Sequence, residues 1–423
     1  MLTLKYIQDN KDEVIERLSV KNFDATSIVR EITDLDDQRK SLQAKADSKQ
    51  AEANSIAKQI GSLMQAGKKE EAEAIKQQSA QLKEEVKKLN VQQATVEEEL
   101  QSKLVLLPNI PHTSVPVGKS SEDNVTVKSG GSSPKLEKAL PHWELAKKYD
   151  IIDFELGVKL TGAGFPVYKG KGARLQRALI SFFLDQAVKA GYVEVQPPLM
   201  VNEDSGFGTG QLPDKEGQMY HITADNLYMI PTAEVPVTNI YRDVILKSED
   251  LPVKNCAYSA CFRREAGSYG KDVRGLNRLH QFDKVEIVQI AHPDESYNVL
   301  NQMVAHVQGL VELLELPWRI VRLCGGDMSF ASALTYDFEV FSAAQERWLE
   351  VSSVSNFETF QSNRLKCRFK DKDSKGTQLV HTLNGSALAL PRILAAILEN
   401  NQTNEGILIP KILVPYCGFN IIN

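Results

Sequence analysis

Two neighbouring segments of this sequence combine residue types that bind phosphorylated nucleotides. Arg263 and Glu265 lie two residues apart at the end of a predicted strand, so they should share one face of it. The next predicted strand places Phe282, Lys284 and Glu286 on one face. If the strands pair as a hairpin, arginines there can bind phosphate in a bidentate manner and the ring can stack on a base. A surface hairpin held by ion pairs would contain the same residues, so this segment alone leaves both interpretations open.

Three further segments carry candidate residues for the same chemistry. A Gly-rich, charged loop at 266–277 separates the two strands and contains Arg274. The segment GYVEVQPP at 191–198 ends a predicted helix with a strand and a proline pair. Near the C-terminus, TLNGSALA at 382–389 leads into a predicted helix that carries Arg392. Each of these segments is a weak signal when it is taken alone.

Several common phosphate-binding and metal-binding patterns do not occur in the sequence. No GxGxxG or GxxxxGK[ST] sequence follows a predicted strand, so Rossmann and P-loop sites are not supported. The five cysteines form no CxxC pair, and the seven histidines form no HxH or HxxxH pair. We therefore expect buried, reduced thiols rather than disulfides or a structural metal site.

A helical hairpin is predicted for the first quarter of the chain. From Ser27 to Lys103 there is no proline, and two apolar seams with a period near 3.5 residues run along the segment. The first seam comprises Ile28, Ile32, Leu35, Leu42, Ala46, Ala53, Ile56, Ile60 and Leu63, and the second comprises Leu82, Val86, Leu89, Val96 and Leu100. Gly61 and Gly67 can supply a turn between them. This favours an antiparallel hairpin within one chain, with a dimerising coiled coil of two chains as the alternative.

A mostly antiparallel α+β domain is predicted for the rest of the chain. A linker with Pro108, Pro111 and Pro116 follows the hairpin, and SGGSSP at 129–134 is predicted as a polar loop. Beyond it, short β-rich runs alternate with helices in no repeating βαβ order, so strands joined by loops are expected. The longest predicted helix covers 172–192. This domain must position the candidate residues, because the hairpin contains none of them.

Composition excludes some classes of function. Of the 423 residues, 50 are Lys or Arg and 55 are Asp or Glu, giving a formal charge of −5, which excludes a basic, histone-like nucleic-acid binder. No apolar run approaches the ~18 residues that span a bilayer. The N-terminus lacks the apolar region of a signal peptide. We therefore expect a cytoplasmic protein that does not associate with membranes.

Taken in order and spacing, the three segments around 191–198, 262–265 and 382–392 resemble motifs 1, 2 and 3 of the class II aminoacyl-tRNA synthetases. Four strings narrow the resemblance to the seryl-tRNA synthetases of bacterial or organellar type, over essentially the whole chain: GTGQLP (208–213), PTAE (231–234), EVSSVSN (350–356) and VHTLNGSALA (380–389). The departures are modest. Motif 2 reads FRRE, and Pro391 precedes the motif 3 arginine, a position that the first turn of a helix tolerates.

The resemblance implies an ATP-dependent aminoacyl-tRNA ligase. Such an enzyme activates L-serine with ATP to seryl-adenylate and transfers the seryl group to the 3′ end of tRNA(Ser), and of tRNA(Sec) where that tRNA is present. It also implies Mg²⁺ as a cofactor, a homodimer formed through motif 1, and no role in DNA binding. The expected domains are an N-terminal helical arm that binds tRNA (1–107) and a class II catalytic domain (108–423).

Two other functions remain as alternatives. A synthetase-like ligase that loads a carrier protein is not expected to possess the long arm. A degenerate paralogue that acts only as a binding module should have lost its arginines or Glu286, and all of them are present.

The resemblance also implies roles for individual residues. The expected catalytic residues are Arg263, Arg274 and Arg392. The expected ATP-binding residues are Arg263, Arg264, Glu265, Phe282, Glu350, Val351, Ser352, Ser353 and Arg392, with Glu350 and Ser353 as Mg²⁺ ligands. The expected serine-binding residues are Thr232, Ala233, Glu234, Arg263, Glu286 and Ser386, and Thr209, Gly210 and Gln211 form a loop that closes over the substrate. For Glu286 the alternative is a strand carboxylate paired with Lys284 or Lys254.

Overall fold

The computed structural model describes residues 1–134, 136, 138–214, 216–265 and 274–423. These residues form two compact units, one of Met1–Ser19 and Phe23–Pro108, the other of Val20–Asn22 and Asn109–Asn423. The helices are α1 (Leu4–Asp9), α2 (Lys11–Ser19), α3 (Thr26–Gln65), α4 (Lys69–Leu104), α5 (His142–Lys148), α6 (Phe154–Leu160), α7 (Gly170–Lys189), α8 (Glu203–Thr209), α9 (Glu234–Asn239), α10 (Ser296–Leu313), α11 (Thr359–Leu365), α12 (Leu390–Asn400) and α13 (Val414–Cys417).

The strands complete the second unit. They are β1 (Val125–Gly130), β2 (Ile152–Asp153), β3 (Val167–Tyr168), β4 (Val193–Glu194), β5 (Met200–Val201), β6 (His221–Ile222), β7 (Leu227–Met229), β8 (Ile245–Lys247), β9 (Val253–Phe262), β10 (Gln281–Ala291), β11 (Trp318–Arg322), β12 (Leu334–Ser342), β13 (Arg347–Asn356), β14 (Arg368–Lys370), β15 (Gln378–Leu379), β16 (His381–Ala389), β17 (Ile407–Leu408) and β18 (Ile421–Ile422). The first eight positions of the predicted loop at 266–277 lie outside the described residues.

The first unit contains the predicted helical hairpin. Helices α3 and α4 have 40 and 36 residues, which is ~60 Å and ~54 Å at 1.5 Å per residue. Ala53, Ile56 and Leu82 form a buried cluster between them. Gly67 supplies the turn with a φ of +77°, whereas Gly61, the other predicted turn residue, lies within α3. The seams are therefore filled within one chain.

Two ion pairs between the helices are symmetric about Gly67. Lys49 and Glu85 lie equally far from it along the chain, and their charged groups are 2.6 Å apart. Glu31 and Lys103 also lie equally far from it, near the base of the hairpin, and their charged groups are 2.5 Å apart. Such a register is what an antiparallel hairpin with a single turn requires.

The seam differs from the prediction at the base of α3. Val29 and Asp36 are buried there, while Ile28 and Leu35 are only half-buried. Asp36 is tolerated in this position because Arg39 lies one turn away and donates to its carboxylate at 2.7 Å. The apolar pattern could not reveal a buried residue that is charged.

The second unit is built on a mostly antiparallel sheet, as predicted. The strand order is β1-β11-β12-β13-β16-β10-β9-β4, and every neighbouring pair is antiparallel except β9 and β4. Helices α7, α10 and α12 contribute to its main core. In α7, Leu175, Leu179, Phe182 and Phe183 are fully buried, and the chain leaves the helix at Gly191 with a φ of +86°.

Two segments that the sequence predicts as loops are more ordered than expected. The side chain of Asn109 donates to the carbonyl oxygens of Ala331 and Phe357 at 2.9 and 2.8 Å, so the start of the Pro-rich linker is bound to the second unit. Ser129 and Gly130, predicted to begin a polar loop, belong instead to the edge strand β1. Backbone pairing with β11 overrides their low strand propensity.

All five cysteines are buried and form no disulfide with one another. Across the described ranges, no helix has both the length and the apolar character needed to cross a membrane.

Candidate active site

The hairpin that carries the first candidate residues is formed by β9 and β10. Their register pairs Phe282 with Cys261 and Glu286 with Ala257, so Phe282, Lys284 and Glu286 share one face of β10 as predicted. Polar residues from four other segments surround this face. It therefore forms the floor of the candidate site.

The motif 2 residues lie just beyond the end of β9. The N–H of Arg263 donates to the carbonyl of His280 at 2.9 Å, and its guanidinium lies 5.2 Å from the centre of the Phe282 ring. Glu265 has a φ of +49° and pairs with Arg278. The prediction that Arg263 and Glu265 share a strand face is wrong, because the strand ends at Phe262 and a left-handed residue breaks the alternation.

Backbone contacts position Arg264 and Arg392. Arg264 is exposed, and its backbone N–H donates to the carbonyl of Gln218 at 2.8 Å. Arg392 is the third residue of α12, which begins at Leu390, so Pro391 lies in the first turn as expected. Its Nη1 donates to the carbonyl of Glu350 at 2.8 Å.

The other end of the face formed by Phe282, Lys284 and Glu286 is a buried ion pair. Lys284 Nζ lies 2.5 Å from Glu286 Oε2, and both side chains are almost fully buried. Thr232 joins them, because Lys284 donates to its hydroxyl at 2.9 Å and the hydroxyl donates to Glu286 at 3.2 Å. Pairing with Lys284, the alternative for Glu286, is thus present. It does not exclude a substrate role, since the carboxylate faces the same group of polar residues.

A second carboxylate, Glu234, lies beside this pair. Thr232 and Glu234 do not lie in one extended segment, since Glu234 is the first residue of α9 and its N–H donates to the Thr232 hydroxyl at 3.2 Å. Burial, and then the nearby charge of Glu286, raises the pKa of Glu234 to about 7. Ala233 between them is fully buried in an apolar cluster with Val288.

Gln361 of α11 connects Glu234 to the predicted substrate loop. Its Nε2 donates to Glu234 Oε1 at 2.6 Å and to the carbonyl of Thr209 at 3.1 Å. Gly210 ends α8 with a φ of +95°, and the Thr209 hydroxyl donates to the side chain of Gln211. The loop is therefore bound directly to the carboxylate end of the site.

The strands β13 and β16 complete the site. Ser386 lies directly opposite Glu286 in the register of β10 and β16, and its carbonyl accepts from the Ser352 hydroxyl at 2.6 Å. Ser353 Oγ lies 3.5 Å from Glu350 Oε1 on β13. Val351, between them, buries its side chain in the main core, so only its backbone can face a ligand.

Arg274 lies over an aromatic ring, with its guanidinium 4.8 Å from the Trp143 ring centre. Asn277 links its segment to Arg392, because its N–H donates to the Arg274 carbonyl at 3.4 Å and its own carbonyl accepts from Arg392 Nε at 3.0 Å. The two residues after Gly275 are held more firmly. Leu276 N–H donates to His142 Nε2 at 2.8 Å, and His142 Nδ1 lies 2.6 Å from Glu399 of α12.

Comparison with known proteins decides the family. A model of the seryl-tRNA synthetase N-terminal domain matches residues 1–111, and a model of the class II tRNA synthetase core domain (G, H, P, S and T) matches 220–401. A serine--tRNA ligase of Salinibacter ruber is 51% identical over 99% of this chain and 98% of its own length. The chain belongs to the seryl-tRNA synthetase family. The family expected from the sequence motifs is thereby confirmed.

Other members of the seryl-tRNA synthetase family give the same result. The serine--tRNA ligase of a Cyanothece species is 46% identical over 99% of both chains. The crystal structure of seryl-tRNA synthetase from Pyrococcus horikoshii complexed with ATP has a TM-score of 0.93 and 32% identity, covering 100% of this chain and 99% of that one. A cytoplasmic enzyme from Naegleria fowleri, at 24% identity and a TM-score of 0.88, supports the fold alone.

Sequence reasoning about this seryl-tRNA synthetase family member missed several residues of the site. Thr382 and Asn384 alternate with Ser386 along β16. All three lie in VHTLNGSALA, so the two-residue period of a strand could have shown that they share a face. Thr382 donates to Gln361 at 2.6 Å. Gln361 and His142 lie outside every quoted string, and no local pattern marks them, because their partners are distant in the sequence.

Proposed function

We propose that this protein is an ATP-dependent ligase that activates L-serine to seryl-adenylate and transfers the seryl group to the 3′ end of tRNA(Ser). The identity of 51% to a serine--tRNA ligase along the whole chain carries the proposal. The site adds chemical support, because one strand face joins a cationic, aromatic end to a buried carboxylate end. A nucleotide triphosphate suits the first end, and a small zwitterion with a hydroxyl suits the second.

The first step is an in-line attack by the serine carboxylate on the α-phosphorus of ATP, with pyrophosphate as the leaving group. Such a reaction needs positioning and charge neutralisation more than a protein nucleophile. We assign to Arg263 the bridge between the α-phosphate and the serine carboxylate, because its guanidinium lies over Phe282 and its Nε donates at 3.4 Å to the carbonyl of Pro231, next to Thr232. Arg392 and Arg274 would neutralise the outer phosphates.

The nucleotide would lie along the open end of the site. We assign to Phe282 a stacking contact with adenine. Glu265 and Arg264 would contact the base and the neighbouring phosphates, and the backbone of Val351 and Ser352 would line the same cleft. Phe282 pairs with Cys261 near the end of β9, and Arg264 and Glu265 follow that strand, which supports their roles.

Serine would bind at the buried end. Glu286 would accept a hydrogen bond from the substrate hydroxyl, with Ser386 opposite it as a second polar contact. Thr232 and Glu234 would bind the ammonium group, together with the backbone of Ala233. Alanine leaves a buried acceptor unpaired, which disfavours its binding strongly.

The oxygen ligands near Arg392 suit Mg²⁺, and we propose that Glu350 and Ser353 hold it. Asp337 lies opposite Ser353 in the register of β12 and β13, and its buried Oδ1 has no hydrogen-bond partner among the described residues. Burial, followed by the charge of Glu350, raises the pKa of Asp337. A hard cation beside these oxygens would satisfy them and, when bound, supply positive charge to the phosphates.

We propose that residues 1–107 form a tRNA-binding arm and 108–423 the catalytic domain. The arm exposes lysines along its turn and α4: Lys68, Lys69, Lys76, Lys83, Lys87 and Lys88. Acidic neighbours pair with two of them, Lys68 with Glu71 and Lys76 with Glu73. Phosphates of tRNA would compete for these lysines and release counterions. Where tRNA(Sec) is present, the same surface would bind it.

We also propose a cytoplasmic homodimer. Strand β4 is the edge of the main sheet, and apolar side chains near it are exposed: Val193 is 63% exposed, Val188 48% and Met200 46%. A second copy would cover this apolar edge. The buried, unpaired cysteines suit a reducing compartment.

Shortening the arm tests this assignment. Gln93 Nε2 lies 2.7 Å from Gln43 Oε1, so a short Gly-rich turn in place of residues 44–92 joins two adjacent points. We expect serine-dependent pyrophosphate exchange to be retained and aminoacylation of tRNA(Ser) to fall about 100-fold or more through weaker tRNA binding, which also flattens its salt dependence.

Three results would contradict the proposal. Near-normal aminoacylation by the shortened protein would remove the arm from tRNA recognition. The absence of serine-dependent exchange in the unmodified protein would refute the ligase assignment. Exchange without any transfer to tRNA would instead favour a ligase that loads a carrier protein.

A further inference from the structure

Arg364 of α11 is a buried cation whose partners carry no charge. Its guanidinium carbon lies 4.6 Å from the ring centre of Phe207 and 5.0 Å from that of Phe360. The side chain is 7% exposed. Burial lowers the pKa of Arg364 to about 10, so the group is still protonated at neutral pH.

The polar contacts of Arg364 span the predicted substrate loop. Its Nη1 donates to the carbonyl of Phe207 at 3.1 Å and to that of Leu212 at 3.0 Å. These two carbonyls flank Thr209–Gln211 on either side. A single guanidinium nitrogen therefore ties together the two ends of the loop.

The same helix holds the middle of the loop. Gln361 lies one turn before Arg364 and donates to the carbonyl of Thr209 at 3.1 Å. Packing between α8 and α11 is close, because a Cβ added at Gly208 would lie 2.6 Å from the Leu365 side chain. One face of α11 thus contacts the loop by way of three backbone carbonyls.

Removing a guanidinium from water without a carboxylate partner is unfavourable unless its donors are satisfied and its faces are packed. Two carbonyls accept from Nη1 and two aromatic rings pack against the guanidinium, whereas its buried Nε has no hydrogen-bond partner among the described residues. Since the donors reach backbone oxygens, the contact holds the path of the loop and does not depend on the side chains of Thr209–Gln211.

We propose that Arg364 is a positioning residue that keeps the Thr209–Gln211 loop closed over the serine subsite. The inference rests on the proposed function and extends it, because it adds a residue that controls serine binding without touching serine. Loss of Arg364 frees both ends of the loop, and Thr209 then no longer aligns with Gln361 and Glu234. Serine binding weakens, while the open ATP end of the site is unaffected.

The test compares two substitutions at Arg364 with a matched control in the full-length protein. Arg364→Met keeps the apolar stem and removes the donors, and Arg364→Lys keeps the charge but not the planar fork. The control is Arg242→Met, because Arg242 also contacts α8, but by way of the side chain of Ser205, and its other contact is with Asn239 of α9. Pyrophosphate exchange gives the KM for serine and the KM for ATP of each variant.

We expect Arg364→Met to raise the KM for serine about tenfold or more, equivalent to about 1.4 kcal/mol, and to leave the KM for ATP within about twofold. Arg364→Lys should give a smaller rise of the same kind, and Arg242→Met none. If Arg364→Met does not fold by circular dichroism, the same split between the two KM values in Arg364→Lys supports the proposal.

Two outcomes overturn the inference. One is an unchanged KM for serine in both Arg364 variants. The other is an equal rise of both KM values together with a lower melting temperature, which would make Arg364 a general structural residue. Failure of the proposed function is distinguishable, because it would remove serine-dependent exchange from the unmodified protein as well.

Discussion

The two ends of the β10 face hold their charges in different ways. At one end, Lys284 and Glu286 are buried and pair with each other before any substrate is present. At the other, Arg263 is half-buried and lies over Phe282, while Arg264 is exposed. Phe282 and Glu286 are only four positions apart on one strand.

Solvation explains this difference. A charge buried without a partner is strongly destabilising, so the carboxylate end must carry its own counter-charge and hydrogen bonds. Arginines at the open end are hydrated, so they are stable without such partners before phosphates bind. The fold therefore preorganises the carboxylate end, whereas the cationic end becomes ordered when its ligand binds.

The largest expected effect concerns the open end. Substitution of Arg263→Ala should lower serine-dependent pyrophosphate exchange about 1000-fold or more, because a charge-assisted contact that strengthens in the transition state is lost. The fold should be intact by circular dichroism, since Arg263 fills no core position. Arg319→Ala is the control, because Arg319 also lies over a ring, that of Trp348, 4.8 Å away. Exchange within about tenfold of the unmodified protein would contradict the assignment.

At the buried end, Glu286→Ala should abolish the discrimination of serine against alanine. Turnover of serine falls by far more than turnover of alanine, because the acceptor that alanine leaves unpaired is gone. The substitution also leaves Lys284 buried without its partner, which should lower the free energy of unfolding by about 3 to 5 kcal/mol.

Glu286→Gln separates these two effects, because it keeps the shape of the side chain. Exchange assays with each amino acid, together with urea unfolding, give both quantities. Equal losses for serine and alanine in the Ala variant would move Glu286 from specificity to structure.

The smallest expected effect is a pH dependence confined to the buried end. Because the pKa of Glu234 is raised to about 7, this carboxyl is neutral at lower pH and cannot pair with an ammonium group. The kcat/KM for serine should fall about tenfold per pH unit below that value, while the KM for ATP is unchanged. Glu234→Gln should remove the pH dependence.

Stability gives an independent measurement of the same group. The folded pKa of Glu234 lies above its ordinary value of 4.5, so stability is lost as the pH rises from 4.5 through about 7. Glu234→Gln cannot ionise, and its melting temperature relative to the unmodified protein should be higher at pH 8 than at pH 5. A constant difference would show that Glu234 is charged throughout.

Local periodicity explains what could be predicted from the sequence. The seam of α3 and α4 and the shared face of Phe282, Lys284 and Glu286 follow from repeats of 3.5 and 2 residues, and both are confirmed. The prediction for Arg263 and Glu265 failed where a strand ends, because β9 stops at Phe262 and Glu265 takes a left-handed conformation.

Contacts between distant segments could not be predicted at all. Gln361 and Arg364 reach the loop at Thr209 across about 150 residues of sequence, and His142 reaches Glu399 across 257. The roles of the catalytic and binding residues remain predictions for the experiments above.

The symmetry of the helical hairpin about Gly67 has a consequence for how the arm can change in length during evolution. An insertion in one helix alone would shift every apolar residue beyond it out of the seam. Matched insertions on both sides of Gly67 preserve the register, and seven residues in each helix lengthen the arm by ~10 Å. We therefore expect natural variation in arm length to occur in paired steps of whole heptads, so that the lengths of different arms differ by multiples of one fixed step.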